Sequence, residues 1–178
     1  MIVTISGKAG SGKSTVAKLL AEKLKLKHYS IGDLMRAMAS EKRISLIELN
    51  KLAEKDKSID FELDEKLKEL GKTKDNFVVD GRLAAFFIPH AQVKVFLGTE
   101  DKVRAERILK DKREHEKSRS LNEMIKKIKD REESEKKRYR QYYGINYLDR
   151  KFYNLIIDTT KLNPDEVVRK IIEFVNKR

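Results

Sequence analysis

The strongest constraint on the fold is an eight-residue motif near the start of the chain. Residues 7–14 read Gly-Lys-Ala-Gly-Ser-Gly-Lys-Ser and match the pattern G-x-x-x-x-G-K-[ST] at every specified position. An apolar run at 2–5 precedes the motif, and a helical pattern follows it. With a strand before it and a helix after it, such a segment forms a phosphate-binding loop, or P-loop, whose backbone N–H groups converge on one anion. The sequence therefore predicts a site for a Mg²⁺-bound nucleoside triphosphate.

The residues of this loop have separate expected tasks. Lys13 should reach the β- and γ-phosphates of the donor, and the hydroxyl of Ser14 should hold Mg²⁺. The residues predicted to bind the donor, ATP, are Gly7, Lys8, Ala9, Gly10, Ser11, Gly12, Lys13, Ser14 and Thr15. A P-loop says little about the phosphate acceptor, which has to be inferred from the rest of the chain.

Length and composition narrow the class of protein. A chain of 178 residues is expected to form one domain. The sequence is 39% apolar and 39% charged, which favours an α/β protein with heavily charged helices. It has no cysteine and three histidines, so disulfides and thiolate metal sites are excluded and a histidine metal site is not expected. With no membrane-length apolar run and no secretory leader, we expect the protein in the cytoplasm.

Predicted strands alternate with predicted helices along the chain. Short apolar runs occur at 2–6, 77–80, 93–97 and 155–158, with a weaker run at 28–30. Helical patterns occur at 14–24, 33–39, 45–55, 59–70, 101–110, 121–143 and 163–177. This alternation predicts an α/β fold with a mostly parallel sheet, in which ligands bind at the carboxyl ends of the strands.

Two further segments are expected at those strand ends. The run at 77–80 ends in Asp80, followed by Gly81 and Arg82. A strand-terminal Asp often starts a turn, but beside a P-loop it is expected to help hold Mg²⁺, and Arg82 is placed to clamp an acceptor phosphate. In the second segment, at 30–36, Asp33 can cap a helix and Arg36 lies on its first turn. Residue types alone leave open whether this helix binds a ligand or is only a capped surface helix.

Arginines recur in the charged helical segments at Arg104, Arg107, Arg113, Arg131 and Arg138. Phosphoryl transfer spreads negative charge over the transferred phosphate, and arginines that close over it stabilise that charge. Taken singly, each of them is more typical of a solvated helix charge. The segment 110–120 is charged and has no apolar residue, so it is a candidate lid.

The order of these segments resembles the nucleoside monophosphate kinases, most closely the archaeal-type cytidylate kinases. The resemblance spans nearly the whole chain, and its most specific parts are D-G-R-L-A at 80–84 and R-E-E-S-E-K-K-R-Y at 131–139. It implies a P-loop kinase fold: a five-stranded parallel sheet with helices on both faces. In the single domain 1–178 it places an acceptor-binding helical insertion at about 32–68 and the lid at about 110–120. The implied reaction is Mg²⁺-dependent transfer of the γ-phosphate from ATP to CMP or dCMP. We expect the protein to be a monomer.

The resemblance also implies roles for individual residues. It makes Lys13, Arg131 and Arg138 catalytic, and Ser14 and Asp80 the metal-holding pair. Arg107 is predicted to be catalytic as a member of the arginine series. It assigns the acceptor to Gly32, Asp33, Arg36, Asp60, Asp64, Asp80, Gly81, Arg82, Arg131, Glu135 and Arg138. Glu135 stands where related enzymes place a carboxylate near the acceptor sugar. Asp60 and Asp64 are spaced for one helix face, although such pairs are common on solvated faces.

Other functions remain open at this point. Arg82-Leu83-Ala84 and the P-loop residues Ala9 and Ser14 depart from adenylate kinases, which makes AMP a doubtful acceptor. The alternatives are a kinase of another acceptor (UMP, AMP or an RNA) and a regulatory P-loop NTPase. The net charge of +12 would suit nucleic acid, but the chain has no aromatic-interleaved basic stretch for it, so binding of nucleic acid is not expected. The guanine motif of a GTPase is not supplied by residues 73–76.

Overall fold

The computed structural model describes residues 1–111, 118 and 120–177 and contains a five-stranded parallel sheet. The strands are β1 (Ile2–Gly7), β2 (Lys27–Ser30), β3 (Phe77–Asp80), β4 (Val93–Gly98) and β5 (Leu155–Asp158). Their spatial order is β2-β3-β1-β4-β5, and each neighbouring pair is parallel. The predicted α/β class and parallel sheet are confirmed.

Helices connect the strands. They are α1 (Lys13–Leu24), α2 (Ile31–Glu41), α3 (Leu46–Ala53), α4 (Ser58–Thr73), α5 (Ala84–Phe87), α6 (Asp101–Lys110), α7 (Leu121–Tyr143) and α8 (Pro164–Asn176), with a short 3₁₀ helix at Arg150–Phe152. Local chemistry explains several of their boundaries. Ser45 and Asn163 form capping boxes at the starts of α3 and α8, and Pro164 occupies the first turn of α8.

Apolar side chains cover both faces of the sheet. On one face, Val3 and Ile5 of β1 and Val78 of β3 pack against α1 and α8. On the other face, Phe77 and Val79 of β3 pack with residues of α4 and α5. Because neighbouring residues of a strand point to opposite faces, a strand that is buried on both must be apolar throughout, as β3 is until Asp80.

Helices α2, α3 and α4 share an apolar cluster of their own. Met35 and Met38 of α2, Leu46 and Leu49 of α3, and Leu63 of α4 are buried there. This cluster lies within the range 32–68 for which an acceptor-binding insertion was predicted. Of the predicted lid at 110–120, residues 112–117 and 119 lie outside the described residues, and Arg113 is among them.

Two local predictions need correction. Ser30 caps α2, because its Oγ accepts the backbone N–H of Asp33, so the prediction that Asp33 is the cap was wrong. Helix α5 was not predicted, since four residues are too few to show a helical period. Along the described chain, no helix is both long and apolar enough to span a membrane.

Candidate active site

The P-loop connects the end of β1 to the start of α1. Gly10 and Gly12 adopt positive φ angles of 75° and 88°, which other residues rarely tolerate. A Cβ on Gly10 would lie 2.6 Å from the backbone oxygen of Arg104 on α6, so this position also has no room for a side chain. Gly12 is the N-cap residue of α1, which leaves the first backbone N–H groups of that helix available to an anion.

Lys13 is the first residue of α1 and lines a cleft at the carboxyl ends of the strands. Its Nζ donates to the backbone oxygen of Lys8 at 2.7 Å. Burial lowers the pKa of Lys13 to about 7, and the positive charge of Arg82 acts in the same direction. A polyanion bound beside this amine would favour its protonated form, because opposite charges nearby stabilise the charged state.

Ser14 and Asp80 come together although 66 residues separate them. The Ser14 Oγ donates to Asp80 Oδ2 at 2.8 Å, and the Asp80 carboxylate also contacts His28 Nε2 at 2.7 Å and Ser30 Oγ at 3.2 Å. Asp80 is 2% exposed, so these contacts fix its orientation. A hydroxyl and a carboxylate are hard oxygen donors of the kind that Mg²⁺ prefers. The Ser14–Asp80 pair could therefore hold Mg²⁺.

The cleft lies at the carboxyl ends of the strands and has a volume of about 360 Å³. It is lined by P-loop residues, by residues that follow β2, β3 and β5, and by the facing sides of α4, α6 and α7. Of the predicted residues, the cleft brings together Ala9, Gly10, Ser11, Gly12, Lys13, Ser14, Thr15, Gly32, Arg36, Asp60, Asp64, Asp80, Gly81, Arg82, Arg107 and Arg131. As the described residues define it, the lining leaves out Gly7, Lys8, Asp33, Glu135 and Arg138.

Glu135 lies behind the cleft and holds two of its arginines. One carboxylate oxygen pairs with Arg82 Nε, and the other lies 3.0 Å from Arg131 Nε. Burial acts to raise the pKa of Glu135, but the charges of Arg82, Arg131 and Arg138 outweigh it and hold the pKa below its usual value. Glu135 therefore stays ionised and orients Arg82 and Arg131.

Arg138 is 1% exposed and joins α7 to α3 and α4. Its Nε donates to Asp60 Oδ2 at 2.8 Å, and its Nη1 donates to the backbone oxygen of Asn50 and to Ser134 Oγ. Asp60 is held by this pair and is 4% exposed. In this arrangement Arg138 connects the helices below the cleft.

Arg36 lines the cleft from α2. Its guanidinium pairs with Asp33 one turn earlier on the same helix. The Asp33 side chain is 67% exposed, so its contribution to the site is through Arg36.

Arg107 lies on the other side of the P-loop, beside the segment that follows β5. Its Nη2 donates to the backbone oxygen of Thr159 at 2.7 Å and its Nη1 to Thr159 Oγ1 at 3.1 Å. Thr159 Oγ1 in turn donates to the backbone oxygen of Ser11 at 3.3 Å. Leu162 and Val167 line the cleft at this end and give it an apolar wall.

An ionic network of Lys8, Glu132 and Arg104 supports the P-loop from outside the cleft. Lys8 Nζ lies 2.8 Å from Glu132 Oε1 on α7, and Arg104 Nη2 lies 3.2 Å from the other oxygen of Glu132. Arg104 also donates to the backbone oxygen of Ala9 at 3.2 Å. Glu132 thus ties the loop to both α6 and α7.

Several of these residues were not found by sequence reasoning. His28, Glu132 and Thr159 act through partners that are 52, 124 and 148 residues away along the chain. A signal existed for Thr159, because it directly follows a predicted strand and parallel sheets place ligands at such ends. Nothing in the pattern of α7 marked Glu132 among its many acids.

Comparison with known proteins identifies the family of this chain. Residues 2–161 match the sequence profile of the cytidylate kinase-like family. The cytidylate kinase of Natronomonas pharaonis is 42% identical over 97% of this chain and 88% of its own length. That of Halobacterium salinarum is 39% identical over 99% of this chain and 90% of its own length.

A solved structure supports the fold. The shikimate kinase of Bacteroides thetaiotaomicron superimposes with a TM-score of 0.69 at 16% identity, covering 99% of this chain and 98% of its own. At this identity the likeness shows a shared P-loop kinase fold alone. The family resemblance predicted from the sequence motifs is confirmed by the profile and by the full-length relatives. The chain belongs to the cytidylate kinase-like family.

Proposed function

We propose that this protein transfers the γ-phosphate of ATP to CMP or dCMP, giving ADP and CDP or dCDP, with Mg²⁺ as cofactor. The proposal is carried by one observation: two sets of residues suited to bind phosphate groups line the same cleft. The P-loop with Lys13 and the Ser14–Asp80 pair form one side, and Arg36, Arg82 and Arg131 line the same cleft. A hydrolase needs only the first side, whereas a kinase of a phosphorylated acceptor needs both.

On the donor side, the N–H groups of the loop and the Lys13 amine would bind the β- and γ-phosphates. Ser14 and Asp80 would hold Mg²⁺, which when bound neutralises charge on the donor phosphate oxygens. The position of Arg107 beside Thr159 supports a role at the base of the donor nucleotide.

On the acceptor side, Arg36, Arg82 and Arg131 would bind the phosphate of the monophosphate. A guanidinium is suited to this because its N–H groups match phosphate oxygens in pairs. Glu135 keeps Arg82 and Arg131 in place before the acceptor arrives, which lowers the cost of ordering them.

The chemistry needs no protein nucleophile. An oxygen of the acceptor phosphate attacks the γ-phosphorus in line, the new P–O bond forms, and the bond to the β-phosphate oxygen breaks so that ADP leaves. Lys13 and the cleft arginines stabilise the charge that develops during transfer. We expect the enzyme to work in the cytoplasm as a monomer.

The test is a coupled assay of ADP formation over a panel of acceptors: CMP, dCMP, UMP, AMP, an RNA oligonucleotide and no acceptor. The proposal requires turnover with CMP or dCMP well above the rate without acceptor. Turnover that no monophosphate stimulates would contradict it, and stimulation by RNA alone would favour an RNA kinase.

A further inference from the structure

One face of α4 forms a wall of the cleft. Asp60, Leu63, Asp64 and Leu67 recur at helical spacing and all line it. Two carboxylates on such a face are unusual because buried acids need partners. Asp60 and Asp64 are only 4% and 6% exposed, so a solvated helix face does not explain them.

The two acids differ in their hydrogen bonds. Both oxygens of Asp60 lie within bonding distance of the Arg138 guanidinium. Asp64 Oδ2 accepts the hydroxyl hydrogen of Tyr143, whereas Asp64 Oδ1 accepts no hydrogen bond from any described residue. Burial raises the pKa of Asp64 to about 7; the Tyr143 hydrogen bond acts against this and the charge of Asp60 adds to it. A buried acceptor that lines a ligand cleft and has one open oxygen is suited to a donor on the ligand.

The rest of the cleft indicates which part of the acceptor lies there. Its phosphate belongs beside Arg36, Arg82 and Arg131, and a carboxylate would repel it. Met35, Leu63 and Leu67 line the cleft with Asp64 and offer apolar contact to a flat ring. A pyrimidine base satisfies both conditions. Its 4-position decides whether contact with Asp64 is favourable, because cytosine carries an amino donor there and uracil carries a carbonyl acceptor.

We propose that Asp64 Oδ1 accepts a hydrogen bond from the 4-amino group of the acceptor's cytosine, so that Asp64 selects cytosine over uracil. The proposal rests on the proposed function, since it assumes a nucleoside monophosphate in this cleft. Tyr143 is the positioning residue, because its hydroxyl holds the other oxygen and thereby sets the direction of Oδ1. Above about pH 7, where Asp64 is ionised, Oδ1 also repels the O4 of uracil, so acceptance of CMP and rejection of UMP have one cause.

The experiment is run at about pH 8.5, where Asp64 is ionised, and compares wild type and Asp64→Asn with three acceptors. The acceptors are CMP, UMP and the ribonucleoside 5′-monophosphate of 2-pyrimidinone, which is CMP without its 4-amino group. In wild type, kcat/KM for CMP should exceed that for the other two by about tenfold or more, the usual effect of a hydrogen bond to a charged group. In Asp64→Asn the three kcat/KM values should converge to within about threefold. The asparagine amide can present either its oxygen, which accepts, or its NH2 group, which donates, so it does not distinguish the bases as a carboxylate does. The KM for ATP should change by less than about twofold. The exposed Glu65→Gln on the same helix is the matched control and should behave as wild type.

The outcomes separate the two proposals. A wild type that phosphorylates no monophosphate removes the proposed function and this inference with it. A wild type that uses CMP but treats UMP or the 2-pyrimidinone nucleotide equally well overturns the inference alone. An Asp64→Asn variant that loses activity equally on all three acceptors also overturns it, because the carboxylate then contacts the sugar or serves the fold. Should the Asn variant not fold, the wild-type comparison and Tyr143→Phe, which keeps the carboxylate and should reduce CMP selectivity, give the same decision.

Discussion

Replacing Asp64 with asparagine should stabilise the free protein, and the gain should grow as the pH rises. Asp64 is a buried acid whose pKa is raised from 3.8 to about 7 in the folded state. Between pH 3.8 and about pH 7, Asp64 holds a proton in the folded protein and loses it in the unfolded chain. The folded state is therefore favoured at low pH, and that advantage is lost as the pH rises through about 7. Asparagine matches the neutral acid in shape and hydrogen bonding and does not titrate.

The magnitude follows from the raised pKa. Each tenfold change in proton affinity between folded and unfolded states is worth about 1.4 kcal/mol, so full ionisation of Asp64 costs on the order of 4 kcal/mol. Part of this cost is already present at mildly acidic pH. We expect the stability of Asp64→Asn relative to wild type to increase by roughly 2 to 3 kcal/mol from about pH 5 to about pH 8.5. The charged and titratable neighbours that share this environment are Asp60, Glu65, Lys68 and Tyr143.

The assay is urea unfolding of both proteins without nucleotide, followed by circular dichroism at several pH values. Differences between variants are used because they cancel the pH dependence of groups that do not interact with Asp64. Glu65→Gln, on the exposed side of α4, should change its stability relative to wild type by less than about 0.5 kcal/mol over the same range. A difference for Asp64→Asn that stays constant, or falls with rising pH, would refute the argument that burial raises the pKa of this carboxyl in the folded protein.

Other predictions concern the phosphate-handling residues. Lys13→Ala should lower kcat by about 10³-fold or more while circular dichroism shows a folded protein. In the control Lys18→Ala, whose lysine is exposed on the same helix, kcat should stay near the wild-type value. An active Lys13→Ala would remove the P-loop assignment. Arg82→Ala should raise the KM for CMP by about tenfold or more and the KM for ATP by less than about twofold; equal effects on both would argue against its acceptor role. Glu132→Gln should raise the KM for ATP by about three- to tenfold and leave the KM for CMP nearly unchanged, because it releases Lys8 of the P-loop. An unchanged KM for ATP would mean that the network only supports the fold.

Much of this architecture follows from local patterns. The P-loop, the continuous apolar strands and the acid at the end of β3 are each written in fewer than ten consecutive residues. Their positions at strand ends bring them together in any doubly wound parallel sheet. For this reason the sequence could predict that Ser14, Asp80 and Arg82 belong to one site.

The polar faces of the long helices were harder to read. Arg131, Glu135 and Arg138 share one face of α7 by spacing, and sequence reasoning treated all three as acceptor ligands. In the structure Arg131 lines the cleft, Glu135 lies behind it, and Arg138 is turned to Asp60 and Asn50. Periodicity gives the face of a helix but not which end of that face meets the cleft, because this depends on how the helix crosses its neighbours.

The sequence by itself determined the donor side, since a P-loop is a local device whose glycines, lysine and serine act through their own backbone and immediate neighbours. Only the tertiary structure decided which charged groups of the acceptor side face the ligand. In the sequence, Asp60 and Asp64 look alike as a spaced pair of acids. In the structure, Arg138, 78 residues along the chain, binds Asp60. Tyr143, 79 residues from Asp64, bonds one oxygen of Asp64 and leaves the other open. The partners of a buried charge come from whatever the fold packs against it, and that information is spread over the whole chain.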